Sequence, residues 1–160
     1  MKFIKIGKIV NTHGIKGELR ILSDFRHKDK VFVKNMKVYV GKKKQEFIIN
    51  SYRFHKIFDM VTFNGFNNIN DVEYLKGDFV YINEDDLNLD GGEIYSEKLI
   101  GFKAVIGKTQ VGTVTEILDT PANEVIRVNE NILIPYVKEF INKIDMENNT
   151  IYINDIGGLV

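Results

Sequence analysis

This sequence consists largely of short runs of β-branched residues, interrupted at close intervals by glycine, asparagine and aspartate. Isoleucine, valine and threonine contribute 22, 15 and 7 of its 160 residues, whereas alanine, the strongest helix former, occurs only twice. A parallel sheet would require a crossover helix between successive strands, and the sequence does not supply such a series. The pattern therefore predicts a mostly β protein made of two small β-barrels.

The strands of the first barrel are expected within residues 1–83, at positions 3–10, 18–22, 36–40, 45–52, 59–63 and 79–82. The first strand alternates only in part, because Lys5 and Lys8 would fall on opposite faces. Residues 13–17 (HGIKG) have two glycines three apart and predict a tight reversal. One helix is predicted over residues 70–76, with Asn70 as the N-cap and Gly77 as the stop.

A polar, acidic segment that contains a glycine pair separates the two halves of the chain. It predicts a linker over residues 84–93, between domains at residues 1–83 and 94–160. In the second domain, strands are expected at residues 103–106, 110–118, 125–128, 132–134 and 150–153. Pro135 is expected to open a short helix that extends to Ile141, since its missing N–H costs nothing at a first helical position.

The zero net charge of the chain conceals an uneven distribution. Residues 1–83 hold 16 lysines and arginines against 8 aspartates and glutamates, whereas residues 84–160 hold 6 against 14. A basic half is suited to a phosphate backbone and an acidic half to a basic protein. The alternative is that both halves carry ordinary solvated surface charge.

Residues 86–97 match the spacing of a calcium-binding loop, with Asp86, Asn88, Asp90 and Gly91 followed at the required distance by Glu97. Such a loop is held between two helices, whereas here a strand is predicted before it and no helical period follows. An acidic linker is the favoured interpretation, and calcium binding remains the alternative.

Gly101 and Gly107, followed by Lys108 and Thr109, resemble a phosphate-binding loop, but five residues separate the glycines where four are required. The residues that follow read as a strand, so no helix N-terminus would meet a phosphate. The glycine at 107 is therefore interpreted as part of a hairpin turn.

No catalytic or metal centre is predicted. The three histidines lie in separate segments without ligand spacing, and the chain has no cysteine. We therefore expect a protein that is not an enzyme and needs no cofactor. The absence of cysteine fits a reducing cytoplasm, and the longest uncharged apolar run, residues 132–137, is far shorter than the roughly 18 residues of a membrane span.

Cations and aromatic residues are the remaining candidates for binding. Three lysines, Lys42, Lys43 and Lys44, occupy a predicted hairpin tip, and a second group follows at residues 52–58. The latter contains Arg53, His55 and Lys56 beside the aromatic residues Tyr52, Phe54 and Phe58. The cations could neutralise phosphates and an exposed ring could stack on an unpaired base, although aromatic residues of a small barrel often belong to its core.

Several segments together resemble the RimM family of bacterial ribosome maturation factors. The opening signature is GKIVNTHGIKGEL at residues 7–19. Further segments that agree in order are YLKG at residues 74–77, Tyr95 with LIG at 99–101, VGTV at 111–114, IPYV at 134–137, ID at 144–145 and GL at 158–159. The resemblance covers essentially the whole chain, and such an ordered series is more specific than any single motif.

The resemblance implies an N-terminal barrel like those of translation factors, a linker and a C-terminal PRC-barrel. It also implies a non-catalytic, monomeric assembly factor that binds the head of the immature small ribosomal subunit. The implied partners are 16S rRNA and the nineteenth small-subunit protein, and the factor supports rRNA processing without cutting RNA. A general RNA-binding barrel without a ribosomal-protein partner is the alternative.

The site residues follow from the same resemblance. Ile94, Tyr95 and Leu99 are expected to contact the ribosomal protein, although many relatives carry two adjacent aromatic residues where this chain has Ile94 and Tyr95. His13 and Lys16 in the opening signature are candidates for RNA contact. For Tyr95, packing across the domain boundary remains the alternative to partner binding.

Overall fold

The computed structural model describes residues 1–89 and 94–155. The chain divides into two compact units, Met1–Asp90 and Gly91–Val160. Strands make up most of the regular structure in both units, which confirms the predicted mostly β fold class.

The first unit is a closed antiparallel barrel of six strands. These are β1 (Phe3–His13), β2 (Glu18–Leu22), β3 (Lys37–Val40), β4 (Gln45–His55), β5 (Phe58–Phe63) and β6 (Phe79–Asn83). Around the barrel they follow the order β1, β2, β5, β4, β3, β6, so that β1 closes the circle against β6. Alternate residues point inward, and side chains such as Ile6, Leu19, Ile49 and Val80 are buried there.

A β-bulge explains why the first strand alternates only in part. The register of β1 against β6 shifts between Lys5 and Gly7, so that Lys5 pairs with Tyr81 and Lys8 with Phe79. A bulge adds a residue to one strand and re-aims the side chains that follow it. Lys5 and Lys8 are consequently both exposed, which differs from the opposite faces predicted for a regular strand.

The helix predicted over residues 70–76 is replaced by two short 3-10 helices, Ile69–Asp71 and Glu73–Leu75. The cap is Asn68, whose side chain accepts a hydrogen bond from the backbone N–H of Asn70. Val72 and Leu75 are both buried, and a spacing of three residues aligns two side chains on a 3-10 helix. A single α-helical turn that was not predicted, α1, spans Lys28–Val31.

The second unit is a six-stranded sheet around its own apolar core. Its strands are β7 (Lys103–Ile106), β8 (Thr109–Asp119), β9 (Glu124–Val128), β10 (Ile132–Pro135), β11 (Ile141–Asp145) and β12 (Thr150–Ile153). They follow the order β10, β9, β8, β7, β12, β11, and β7 and β12 run parallel. Core residues from five of these strands, together with Leu99 and Phe102, pack in one cluster.

The helix predicted from Pro135 to Ile141 is wrong. Pro135 ends β10, where it pairs with Val125, and Ile141 begins the strand β11, which was not predicted. Proline is tolerated at this position because β10 lies at the edge of the described sheet. Ile141 and Ile144 pack against the core, and this tertiary contact outweighs the weak local helical signal.

The beginning of the expected linker is attached to the first unit. Glu84–Asp86 forms a 3-10 turn, and the backbone N–H of Glu84 donates to the carbonyl oxygen of Lys2 at 2.8 Å. The first unit, Met1–Asp90, therefore contains 16 lysines and arginines and 12 aspartates and glutamates. The second unit, Gly91–Val160, contains 6 lysines and arginines and 10 aspartates and glutamates. Residues 90–93 lie outside the described residues.

Candidate nucleic-acid and protein contact surfaces

The turn between β1 and β2 projects from one end of the first barrel. Gly14 and Gly17 adopt φ angles of +69° and +87°, in the left-handed region that favours glycine. A side chain at position 17 would also place its Cβ 2.5 Å from the carbonyl oxygen of Phe66. The predicted reversal is confirmed, and between its glycines it exposes Ile15 and Lys16.

Beside this turn lies a group of polar side chains that we call the histidine–arginine cluster: His13, Glu18, Arg20, Arg53 and His55. His13 pairs with Glu18 in the register of β1 and β2, and its ring centroid lies 6.1 Å from that of His55. A guanidinium nitrogen of Arg20 donates to Nδ1 of His13 at 2.7 Å. Since Nδ1 accepts this bond, Nε2 of the neutral ring carries the proton and is a donor suited to a phosphate oxygen.

Arg53 and Glu18 form a bidentate ion pair within the cluster. Nε and Nη2 of Arg53 donate to the two carboxylate oxygens of Glu18 at 2.8 and 2.7 Å. The hydrogen bond from Arg53 lowers the pKa of Glu18 against the opposing effect of burial. Part of the positive charge of Arg53 is thus neutralised, so this residue is less available to an anion than its type suggests.

Lys16 and Lys56 are exposed at two turns of the barrel. Neither lysine has an acidic partner among the described residues. Lys16 lines a cleft of about 390 Å³ together with His13, Glu18 and Thr62. The structure brings His13 and Lys16 together at one cleft, and an open cleft that has a free ammonium group beside a histidine can accept a phosphate.

The aromatic residues of β4 and β5 have different surroundings. Tyr52 stacks on Phe32, and its hydroxyl donates to the buried carboxylate of Asp59 at 2.7 Å. Burial and this hydrogen bond raise the pKa of Tyr52 to about 12. Phe54 is 58% exposed, whereas the half-buried Phe58 lies beneath the guanidinium of Arg20. Phe54 is therefore the one of the three predicted rings that is most open to a base.

Lys42, Lys43 and Lys44 occupy the turn between β3 and β4, as predicted. Lys42 and Lys43 are exposed, but Lys44 is half-buried because its ammonium group lies 4.2 Å from the ring centroid of Tyr81. This turn adjoins β6, whereas the histidine–arginine cluster lies on β1, β2 and β4. The predicted RNA contacts therefore divide between two places on the barrel.

In the second unit, the segment before β7 is held against the sheet. Tyr95 is half-buried and precedes a 3-10 turn, Ser96–Leu99. The hydroxyl of Ser96 donates to Glu124 at 2.5 Å, and Ile94 packs on the core while its carbonyl oxygen accepts from the hydroxyl of Tyr136 at 3.2 Å. The turn is thus anchored on either side of the Tyr95 side chain.

Leu99 occupies a different environment from the one that its candidate role requires. Its side chain has 0% exposure and belongs to the core of the second unit. A side chain without exposed surface does not touch a partner, so Leu99 stabilises the turn that carries Tyr95. Ser96 is likewise buried, and its side chain is used internally.

No group of three or more histidine, cysteine, aspartate or glutamate side chains within residues 1–89 and 94–155 is arranged to hold a metal ion. The calcium-like spacing lies partly at residues 90–93, outside the described residues, and the strand predicted before it is present as β6. In the described part of the chain, no helix combines the length and apolar composition needed to cross a bilayer.

Arg20 is a cluster member that was not among the residues predicted from the sequence. Its position two residues after Glu18 in a strand places both side chains on the same face, and this period-2 relation could have identified it. His55 was noted only as a neighbour of Arg53. Its approach to His13 depends on the strand order β1, β2, β5, β4, which sequence spacing does not show.

Comparison with known proteins gives the family. Two family models match the chain, the RimM N-terminal domain over residues 4–87 and the RimM PRC barrel domain over residues 96–159. The chain belongs to the RimM family. This confirms the resemblance drawn from the sequence motifs and identifies the second unit as a PRC barrel domain.

Relatives in the RimM family match nearly the full chain. Ribosome maturation factor RimM of Staphylococcus epidermidis is 39% identical over 166 residues, and 98% of each chain is covered. The same factor of Staphylococcus saprophyticus is 40% identical over 165 residues, also with 98% of each chain covered. A crystal structure of a RimM protein from Pseudomonas aeruginosa covers 96% of this chain and 97% of its own, at 20% identity and a TM-score of 0.49.

Proposed function

We propose that this chain is a non-catalytic assembly factor of the small ribosomal subunit that acts in the cytoplasm as a monomer. It binds the head of the immature subunit through the nineteenth small-subunit protein and 16S rRNA, and supports processing of that rRNA. The observation that carries this proposal is the similarity over 98% of the chain to proteins named ribosome maturation factor RimM.

The proposed rRNA contacts are on the first barrel. His13 and Lys16 share one cleft, and Lys56 is an unpaired cation that follows His55, whose ring centroid lies 6.1 Å from that of His13. Arg53 contributes less free charge because Glu18 binds it. Lys42, Lys43 and Lys44 are a second group of contacts on the β3–β4 turn.

The proposed ribosomal-protein contacts are on the second unit. Tyr95 and Ile94 supply partly exposed apolar surface on an anchored segment, and tyrosine is well suited to such an interface. The unit carries 10 carboxylates against 6 cations, which favours encounter with a basic protein. Because such attraction is screened by salt, the association rate should fall as ionic strength rises.

The proposal is tested by binding of the full chain to immature small subunits, mature small subunits and the purified nineteenth small-subunit protein. We expect binding to the immature particles and to the isolated protein, with weaker binding to mature subunits. Binding to RNA without binding to the isolated protein would favour the general RNA-binding module. Binding to neither particle would refute the proposal, and turnover of precursor rRNA would refute its non-catalytic part.

A tyrosine variant with its control, and a double lysine variant, separate the proposed protein contacts from the proposed RNA contacts. Tyr95→Ala should weaken binding to the isolated protein, whereas Tyr74→Ala, which removes an exposed tyrosine from the other unit, should not. Likewise, Lys16→Gln with Lys56→Gln should weaken binding to the rRNA of the particle while leaving the isolated protein bound. Equal effects of Tyr95→Ala and its control would contradict the proposed protein site.

A further inference from the structure

A second surface of the first barrel combines cations and aromatic rings on neighbouring strands. We call it the lysine–aromatic face, and its members are Phe3, Lys5, Lys8, Lys44, Phe79 and Tyr81. The ammonium groups of Lys5 and Lys8 lie 4.3 and 5.7 Å from the ring centroid of Phe79. That of Lys44 lies 4.2 Å from the ring centroid of Tyr81 and 5.6 Å from that of Phe3.

We propose that the lysine–aromatic face binds a single-stranded segment of RNA, with its lysines on the phosphates and its open ring, Phe79, stacked on a base. The choice of RNA rests on the proposed function. The surface shares β1 with the histidine–arginine cluster but has no residue in common with it, and its other members lie on β6 and the β3–β4 turn.

The β-bulge in β1 creates this face. In a regular strand Lys5 and Lys8 would point to opposite sides of the sheet, and only one of them could reach the outer surface. The register shift between Lys5 and Gly7 brings both ammonium groups to the same ring. Bulges often re-aim side chains next to functional sites, so the placement of Lys5 and Lys8 by this bulge is itself an indication of a functional surface.

The charge of the face is available to a ligand. Lys5, Lys8 and Lys44 have no carboxylate partner among the described residues. The exposed Lys42 and Lys43 extend the positive surface, and Asp78 is a half-buried carboxylate near Gly41. Cations without a carboxylate partner attract a polyanion, and their contact with phosphates does not require any existing ion pair to break.

The rings favour a single strand over a duplex. Phe79 is 40% exposed, so its ring is accessible, whereas Tyr39 is buried and supports Phe3 through an edge-to-face contact. Bases of an unpaired strand can stack on such a ring, but bases inside a duplex cannot reach it. A lysine chain is flexible, so its ammonium group can move from the ring to the adjacent phosphate when a base arrives.

The test measures the salt dependence of binding of the full chain to a 12-nucleotide oligoadenylate. Lys5→Gln, Lys8→Gln and Lys44→Gln are combined in one variant, which keeps the aliphatic stems on the rings. If three phosphate contacts are lost, the slope of log K against log salt should become shallower by about 2, from roughly 0.7 for each contact on a single strand. The matched control combines the exposed lysine substitutions Lys103→Gln, Lys108→Gln and Lys143→Gln and should keep the slope of the unmodified chain.

A second variant tests the ring. Phe79→Leu keeps apolar bulk and all the charges, so it should weaken oligoadenylate binding roughly tenfold without changing the salt slope. The same variant should bind an abasic 12-mer as the unmodified chain does. Unchanged thermal unfolding of both variants shows that the barrel is intact.

Three results would overturn the inference. A triple variant with the slope of the unmodified chain would show that these lysines do not meet phosphates. Equal binding of duplex and single strand, with no effect of Phe79→Leu, would refute the single-stranded assignment. If the triple variant no longer binds immature subunits but its oligoadenylate binding keeps the same salt slope, the lysine–aromatic face contacts a protein and not RNA. In each case, binding of the unmodified chain to immature subunits reports separately on the proposed function.

Discussion

Alanine substitutions at the two glycines of the β1–β2 turn should have very different effects on stability. Both glycines have positive φ, and a residue with a Cβ in that region costs about 1 kcal/mol. At Gly14 nothing lies within 4 Å of the added Cβ, so Gly14→Ala should destabilise the first unit by only this amount. At Gly17 the Cβ would lie 2.5 Å from the carbonyl oxygen of Phe66 and 3.3 Å from the backbone nitrogen of Asn68. Both are backbone atoms that cannot rotate away, and such overpacking adds about 1–3 kcal/mol.

The expected total is therefore about 1 kcal/mol for Gly14→Ala and about 2–4 kcal/mol for Gly17→Ala. In a domain of this size 1 kcal/mol lowers Tm by roughly 4–8 °C, so the two variants should differ by at least about 4 °C. Scanning calorimetry of the full chain measures the difference, and the first unit supplies the transition that moves. Equal shifts for the two variants would refute the assignment of the extra cost to the Phe66 contact.

Two further predictions concern the core of the second unit and the ion pair of the first. Leu99→Ala should destabilise the second unit by about 2–5 kcal/mol, because it leaves a cavity in a fully buried position, and calorimetry should show that only this unit's transition moves. If the unfolding transition of the second unit stays in place in Leu99→Ala, the assignment of Leu99 to the core is contradicted. The pKa of Glu18 is lowered by the hydrogen bond from Arg53, so the pair contributes stability above the ordinary pKa of about 4.5 and loses it as the pH falls through the lowered value. Glu18→Gln should therefore be less stable than the unmodified chain at pH 7 and should converge with it in strong acid, as measured by urea unfolding across pH; a constant difference would disprove the linkage.

Local pattern was sufficient wherever a segment's structure depends on its own residues. The spacing of Gly14 and Gly17 predicted the turn that exposes Lys16 and the return of the chain as β2. The turn at Lys42–Lys44 also followed from its flanking strands. The ordered motifs were enough to recognise the family, since they do not depend on any single contact.

Local pattern failed where a partner distant in the chain decides the outcome. Pro135 can open a helix in isolation, but pairing with Val125 makes it the end of an edge strand. Leu99 looked like part of a contact motif, yet packing buries it completely. In both cases the tertiary contacts supply more free energy than the local preference, which is only a weak determinant.

The amino-acid sequence by itself determined the mostly β architecture, the family and the basic character of the first half, because these follow from residue types and their order. Only the tertiary structure decided which cations lie close together. The strand order β1, β2, β5, β4 brings His55 to His13, and a bulge set by pairing with β6 places Lys5 and Lys8 over one ring. The physical reason is that side-chain direction depends on strand register, and register is determined by residues far away in the chain.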